Sequence, residues 1–410
     1  MQIQELLKIR KQKGYEIAKT NKIVQKDKKW IVPSQTSNKK YEVTLYLDKK
    51  VCTCLDYTER GMTCKHIFAV EITITKEVDN YGNVKETKIV RKTYPQDWAN
   101  YNKAQINQKE LFLKLLFDLC KSIPQERKHL GKGRPEIPMK DVVFSSALKI
   151  FTTFSLRRFG SDMKTAKELG YVEKAPYFSV VSKYMQKEEL TPILQELIAL
   201  SSMPLKSIET KFAIDSTGFR TTKFTDYCKE KHNIEKQHEW IKAHICTGVK
   251  TNIVTAVQVD TGTHNQSADD PQFIPLLKET HDNGFVVDEA SADKAYSSRH
   301  NHNFVRSIGG TPFIAFRSNA TGNSSGSYTW MRMYRYFTYN REEFLQHYHN
   351  RSNVETTVFM VKSKFTDLVR SKDETAQLNE VLLKFLCHNI CVLIQESFEL
   401  GIEPNFISGV

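Results

Sequence analysis

Three cysteines and a histidine packed into fifteen residues, Cys52-Thr53-Cys54 and Cys64-Lys65-His66 with nine residues between them, constrain this chain more than any other feature. Three thiolates and one imidazole close a tetrahedral zinc shell, and two close pairs joined by a short loop can meet around one ion. A shell with four protein ligands leaves no open position for a reacting water, so the zinc expected here is structural. The flanking sequence suits a small fold around it. Tyr41, Val43, Leu45 and Leu47 alternate as one side of a strand, and Ile67-Phe68-Ala69-Val70 starts a helix after the last ligand.

The four residues resemble the Cys-x-Cys…Cys-x-His pattern of the SWIM zinc finger, a β-β-α module linked with DNA or protein binding. The resemblance covers roughly residues 28–75. At 410 residues the chain has room for two or three domains. Lys and Arg number 60 against 47 acids, a net charge of +13 that favours a polyanionic partner such as nucleic acid. The excess is concentrated in residues 1–40, which hold eleven Lys or Arg and three acids, a basic arm or a solvated helix face.

No signal-peptide core occupies the first thirty residues. The longest apolar stretches, Val142–Phe154 and Val381–Ile394, are interrupted by Lys149, Lys384, His388 and Asn389, so neither secretion nor membrane insertion is expected. Eight cysteines, five of them scattered, suit a reducing compartment, and the chain reads as cytoplasmic and chromosome-associated.

The pattern divides the chain into a basic arm and zinc module (1–75), a linker or extended hairpin (76–108) with a turn at Tyr81-Gly82-Asn83, a helical DNA-binding or positioning domain (109–205), and an α/β domain (206–400). The helical part is punctuated by Gly131-Lys132-Gly133-Arg134-Pro135 and carries Val142, Leu148, Phe151 and Phe154 at helical spacing. Arg157-Arg158 is either a phosphate contact or a surface pair. From Lys211 strands and helices alternate, which argues a sheet flanked by helices. Strands are expected at Phe212–Ile214, Ala243–Val249, Ile253–Val259, Phe285–Ala292 and Pro312–Phe316, with a helix at Phe273–Thr280.

Within that domain Asp215 ends an apolar strand, Asp293 follows Ala290-Ser291-Ala292, and a third acid lies on a patterned helix. Each aspartate alone reads as well as a turn or cap residue. Tyr348, Arg351, Glu355 and Lys362 stand at offsets −7, −4, 0 and +7, within about 60° of one another at 100° per residue. One helix face thus presents a phenol, a guanidinium, a carboxylate and an ammonium. Phosphodiester chemistry with two metal ions needs carboxylates arranged in this way, at strand ends and on a facing helix.

Tyr348-x2-Arg351-x3-Glu355-x6-Lys362 resembles the Tyr-Arg-Glu-Lys signature of a bacterial and archaeal insertion-sequence group of DDE transposases. Ile214–Phe219 and Ala292–Ser297 look like that group's first and second acidic motifs in the expected order, and the resemblance spans about 206–395. It implies a ribonuclease-H-like core in which Asp215, Asp293 and Glu355 hold two Mg2+ (or Mn2+) ions. It further implies that Arg351 and Lys362 hold DNA phosphates while Tyr348 positions the backbone or terminal base. Transposon-end and target double-stranded DNA are the implied partners, with a homodimer or larger complex assembled on them.

Ala295 stands where the family usually has glycine. The 62 residues from Asp293 to Glu355 are too few for the large β-insertion that some relatives use to form hairpin ends. A nuclease that cuts without joining and a zinc-finger DNA-binding regulator without catalysis are the alternatives. His264-Asn265 reads as a polar loop, and Tyr328, Trp330, Tyr334, Tyr336 and Phe337 as a core cluster or a stacking surface for bases. Cys387, His388, Cys391, Cys120, Cys228 and Cys246 read as core.

Overall fold

The computed structural model describes residues 3–21, 23–26, 29–34, 39–45, 50–78, 84–88, 97–124, 137–222, 240–261 and 268–406. Leu47, Tyr81–Asn83, Gly131–Pro135, Cys228 and His264-Asn265, all singled out above, lie outside them. The chain divides into two compact units, Met1–Pro95 and Gln96–Val410.

In the first unit, helix α1 (Ile3–Thr20) precedes strands β1 (Val24–Lys26), β2 (Lys29–Pro33), β3 (Lys40–Leu45) and β4 (Lys50–Cys52). They form one antiparallel sheet in that order. Trp30, Val43 and Cys52 stand opposite one another on three neighbouring strands and are buried, and Tyr41 and Leu45, expected on the same side of β3 as Val43, pack against that cluster half-buried. Helices α2 (Leu55–Arg60) and α3 (Lys65–Thr73) follow, then a two-stranded ladder of β5 (Ile74–Val78) and β6 (Val84–Lys88). Helix α1 lies close against α3 because Gly14 has no side chain: a Cβ there would stand 2.7 Å from that of Phe68.

Among the described residues the second unit opens with helices α4 (Trp98–Ile106), α5 (Gln108–Cys120), α6 (Met139–Thr152), α7 (Gly160–Glu168), α8 (Phe178–Met185) and α9 (Leu190–Ser202). Val142 and Leu148 are buried and Phe151 stacks on Phe112 at 3.8 Å. Phe154 departs from the expected apolar face. Thr153 ends α6 in the left-handed region (φ 55), and Phe154 lies beyond it, 46% exposed. Arg157 and Arg158 are both exposed, and Arg157 rests over the Phe178 ring.

Strand β7 (Lys211–Arg220), β8 (Trp240–Gly248), β9 (Val254–Asp260), helix α10 (Asp269–Asp282), β10 (Glu289–Ala292), α11 (Arg299–Ser307) and β11 (Thr311–Ile314) follow. The sheet order is β11-β10-β7-β8-β9, parallel from β11 to β7 and antiparallel from β7 to β9. The chain ends with α12 (Tyr328–Tyr339), α13 (Arg341–Tyr348), α14 (Ser352–Phe365) and α15 (Glu374–Glu399).

The period of two along the strands decides which core each side chain joins. Ala213, Phe219, Ile241, Ala243 and Ile245 pack into a large cluster shared with α5, α6, α9, α14 and α15. Phe212, Ile214 and Cys246 face the other way, onto Phe273, Leu276 and Leu277 of α10. Helix α15 is long and apolar enough to cross a membrane, yet 83% of its apolar window is buried inside the protein. It is sewn to the sheet by Asn389, whose amide accepts from Val254 N at 2.9 Å and donates to Val254 O at 2.7 Å. Cys387, His388 and Cys391 are buried in the same helix, and His388 Nε2 meets the Asn252 carbonyl oxygen at 2.9 Å.

Candidate active site and metal centre

Strand β4 delivers Cys52, the start of α2 carries Cys54, and Cys64 and His66 flank the first residue of α3. Gly61 caps α2 in the left-handed region (φ 61) and turns the chain back, so the two pairs meet. Arg10 of α1 braces that turn, with Nη2 2.6 Å from Asp56 Oδ1. All four side chains are buried and their donor atoms lie within 4.8 Å of one another. The Cys52 and Cys64 sulfurs are each 3.9 Å from His66 Nδ1. Bonds of about 2.0–2.3 Å to one ion place donors roughly 3.5–3.8 Å apart, so the set fits tetrahedral zinc. Hydrogen bonding from Cys52 leads the causes that lower the pKa of the Cys64 thiol, which favours the thiolate form that zinc binds.

Asp215 does not end its strand. β8 continues to pair β7 from Asp215↔Ile245 to Arg220↔Trp240, so the segment expected to turn stays extended. On its other side β7 loses its partner after Ile214↔Ala292. Asp215 and Asp293 therefore follow the last matched pair of two parallel strands, and neighbouring strands run about 4.8 Å apart. Asp293 also caps a 3-10 turn over Lys294–Tyr296, its Oδ1 accepting from Lys294 N at 2.6 Å. The capping role considered for it is real and coexists with its place beside Asp215.

The third acid arrives on α14, but the helix bearing the four-residue signature is not uniform. Tyr348 ends α13, a 3-10 turn occupies His349–Arg351, and α14 begins at Ser352. A 3-10 turn advances 120° per residue instead of 100°, so the stripe drawn on one ideal helix is rotated at its upper end. His347 and Asn350 both reach Glu289 at the start of β10, at 3.0 and 3.5 Å, and hold this stretch to the sheet.

Arg351 joins two of the acids. Its Nη1 donates to Asp215 Oδ2 at 2.7 Å and its Nη2 to Glu355 Oε1 at 2.6 Å. Burial pushes the Asp215 carboxyl above its ordinary range; the Ser216 amide and Arg351 pull it back, while Asp293 and Asp269 push it further up. A carboxylate crowded by two others calls for cations, and three carboxylates are the hard oxygen donors that Mg2+ takes. Among the described residues only the cysteine–histidine group gathers its donor atoms within 4.8 Å; the guanidinium of Arg351 stands between Asp215 and Glu355.

Lys362 is placed differently from a free phosphate ligand. Its Nζ donates to the Gly218 carbonyl at 2.8 Å and lies 5.2 Å over the Phe219 ring, and burial lowers its pKa. It ties α14 to β7, and two residues further along β7 a second tie joins Arg220 to Asp367 at 2.7 Å. Lys362→Met is expected to destabilise the DNA-free protein by about 1–3 kcal/mol, because a partly buried carbonyl loses its charged donor. An unchanged urea midpoint would show that this contact contributes nothing.

A cavity of about 910 Å³ opens beside Asp293, lined by Lys294, Arg317, Tyr334, Phe337 and Arg341 among others. Arg317 is held by the Lys294 and Ala295 carbonyls at 3.1 and 2.8 Å. Of the aromatic cluster, Trp330 is buried with Phe313, Phe316 and Phe344, and Tyr334, Tyr336 and Phe337 pack against that group, whereas Tyr328 is exposed. Arg317, Arg341 and Asp269 were not singled out in the sequence. No spacing signal links them to the acids, since each comes from a different element and only folding brings it near.

Residues 206–390 match the family described as transposase DDE domain, and residues 41–74 match the SWIM zinc finger. No curated protein and no solved structure matches the chain.

Proposed function

We propose that this chain, a DDE transposase carrying a SWIM zinc finger, cleaves DNA at transposon ends and joins the freed 3′-hydroxyls to target DNA through Asp215, Asp293 and Glu355. The observation that carries the reading is the place of Asp215 and Asp293, each just after the last matched residue of two neighbouring parallel strands, with Glu355 linked to Asp215 through Arg351. The sheet order, three antiparallel strands followed by two parallel ones, supports a ribonuclease-H-like core.

Two Mg2+ or Mn2+ ions would activate the attacking oxygen and steady the leaving one. Asp215, Asp293 and Glu355 supply the carboxylate oxygens that hold them. Tyr348 stands beside Arg351 and orients the DNA backbone or terminal base, and Arg351 and Lys362 take up phosphates when DNA arrives. Lys362 does so by giving up the Gly218 carbonyl. The zinc unit, with its basic α1, adds a second DNA- or protein-binding surface, and the residues 109–205 position the duplex. Transposon ends and target DNA are the partners, brought together by a homodimer or larger complex.

The test is a nicking and joining assay with Mg2+, the element's end DNA and a target plasmid, comparing the natural chain with Glu355→Gln. Loss of a metal ligand removes several kcal/mol of transition-state stabilisation, so a rate lower by roughly a thousandfold or more is expected, with DNA binding retained. Cleavage without joining would favour the nuclease. Zinc-dependent DNA binding without any cleavage would favour the regulator, against which the presence of all three acids stands.

A further inference from the structure

We infer that Arg351 is a built-in counter-ion of the acidic site, displaced when divalent ions load, and that its displacement hands the guanidinium to a DNA phosphate. The inference rests on the metal-dependent reading above and adds a coupling between ion loading and DNA grip.

The geometry is specific. One arginine spends its two terminal nitrogens on two different carboxylates, Asp215 at 2.7 Å and Glu355 at 2.6 Å. The other Asp215 oxygen is engaged as well, accepting from the Ser216 amide at 2.8 Å. Both oxygens of Asp215 are thus committed, and the one turned toward Glu355 is committed to a cation. Mg2+ demands near-octahedral geometry with oxygen at about 2.0–2.1 Å. An ion shared by Asp215 and Glu355 has to stand where the guanidinium stands.

The burial pattern favours exchange over permanent pairing. Asp215 and Arg351 are 22% and 23% exposed, but Glu355 is 62% exposed, so one half of the bridge faces water and is screened. The backbone of Arg351 is held in the 3-10 turn at the start of α14. Only the side chain has to swing, and from that anchor it stays four residues from Glu355, beside the phosphate under attack. Asp269 and Asp293 also act on Asp215, so expelling Arg351 without a replacement cation would leave the acids crowded.

Because coupling between ligands is reciprocal, DNA that claims Arg351 tightens the ions by the same factor that the ions tighten DNA. Arg351 is thereby the residue that ties the two binding events together. A lysine in its place can hold a phosphate but cannot span both carboxylates.

The experiment titrates Mn2+ into the zinc-loaded full-length protein, reading free Mn2+ by electron paramagnetic resonance, for the natural chain, Arg351→Ala, Arg351→Lys and Asp215→Asn. Thermal unfolding of each variant confirms folding, and Arg351→Lys carries the test should Arg351→Ala fail to fold. Arg351→Ala and Arg351→Lys are expected to bind Mn2+ more tightly, by roughly 5- to 150-fold. With a double-stranded oligonucleotide, Mn2+ should steepen the salt dependence of binding by about one phosphate contact in the natural chain and not in Arg351→Ala.

Equal or weaker Mn2+ binding by both Arg351 variants, at a site that Asp215→Asn abolishes, would overturn the inference and leave the metal-dependent reading standing. No Mn2+ binding sensitive to Asp215→Asn in any variant would overturn both.

Discussion

Cys64→Ala, or removal of zinc by a chelator, is expected to unfold the first unit while leaving the second intact. The reason lies in how little else holds the first unit together among the described residues. Its buried apolar cluster comprises Ile17, Trp30, Val32, Val43, Ile67, Ala69 and Val70 together with the three cysteine ligands themselves. A core of that size rarely stabilises a fold without a metal or a cross-link. Structural zinc supplies about 10–16 kcal/mol of apparent binding energy at neutral pH, more than such a unit's whole stability. Losing Cys64 removes a ligand and leaves the remaining buried thiols and His66 without the ion that satisfies them. Hydrogen exchange read by mass spectrometry on the full chain should show protection lost across β2 to α3 and retained in β7 to β10. Protection retained in α3 of Cys64→Ala would sink the structural-zinc assignment.

The second large effect is expected at Glu380, far from any signature motif. Glu380 and Lys384 are each 1% exposed and Lys149 6%, one acid between two buried bases. Glu380 accepts from the Arg370 and Ser371 amides at 2.9 and 2.8 Å, and Lys384 donates to the Thr366 and Leu368 carbonyls at 2.9 Å each. Together they pin the segment after α14, the helix that carries Glu355. Removing one member of a buried ionic group costs about 3–5 kcal/mol, because the others stay buried without a counter-charge. Glu380→Ala should therefore lower the unfolding free energy of the second unit by that amount and, by letting α14 shift, depress the cleavage proposed above.

The pH dependence follows from the direction of the shift. Burial works against the Glu380 carboxylate, but Lys149, Lys384 and the amides outweigh it and hold its pKa below the ordinary 4.5. The unfolded chain binds the proton first as pH falls. Glu380's contribution is thus complete above pH 4.5 and is lost as pH drops through the folded value. Urea unfolding of the natural chain and Glu380→Ala should converge on acidification. A difference under about 1 kcal/mol at pH 7 would mean that the buried bases find other partners.

Much of the architecture was legible locally. The strands expected at Ala243–Val249 and Ile253–Val259 fall on β8 and β9, joined by a turn with Asn252 in the left-handed region (φ 63), and the helix expected at Phe273–Thr280 lies within α10. These depend on neighbours in sequence, which periodicity and turn chemistry report directly. Two expectations failed for one reason. The end of β7 depends on how far β8 pairs it, and the break between Tyr348 and Ser352 accompanies contacts to Glu289 on another element. Neither partner is visible within the segment itself.

The sequence by itself singled out the candidates: four zinc donors at closed spacing, three acids in chain order, and the tyrosine, arginine and lysine that flank the third acid. Residue type and spacing suffice for this, because ligand chemistry is local. Only the tertiary structure decided how those groups are engaged. Arg351 bridges Asp215 and Glu355, Lys362 holds the Gly218 carbonyl, and Glu380 lies between Lys149 and Lys384. Each of these contacts joins elements distant in the chain, and its strength comes from burial and register that exist only once the sheet and α15 have packed.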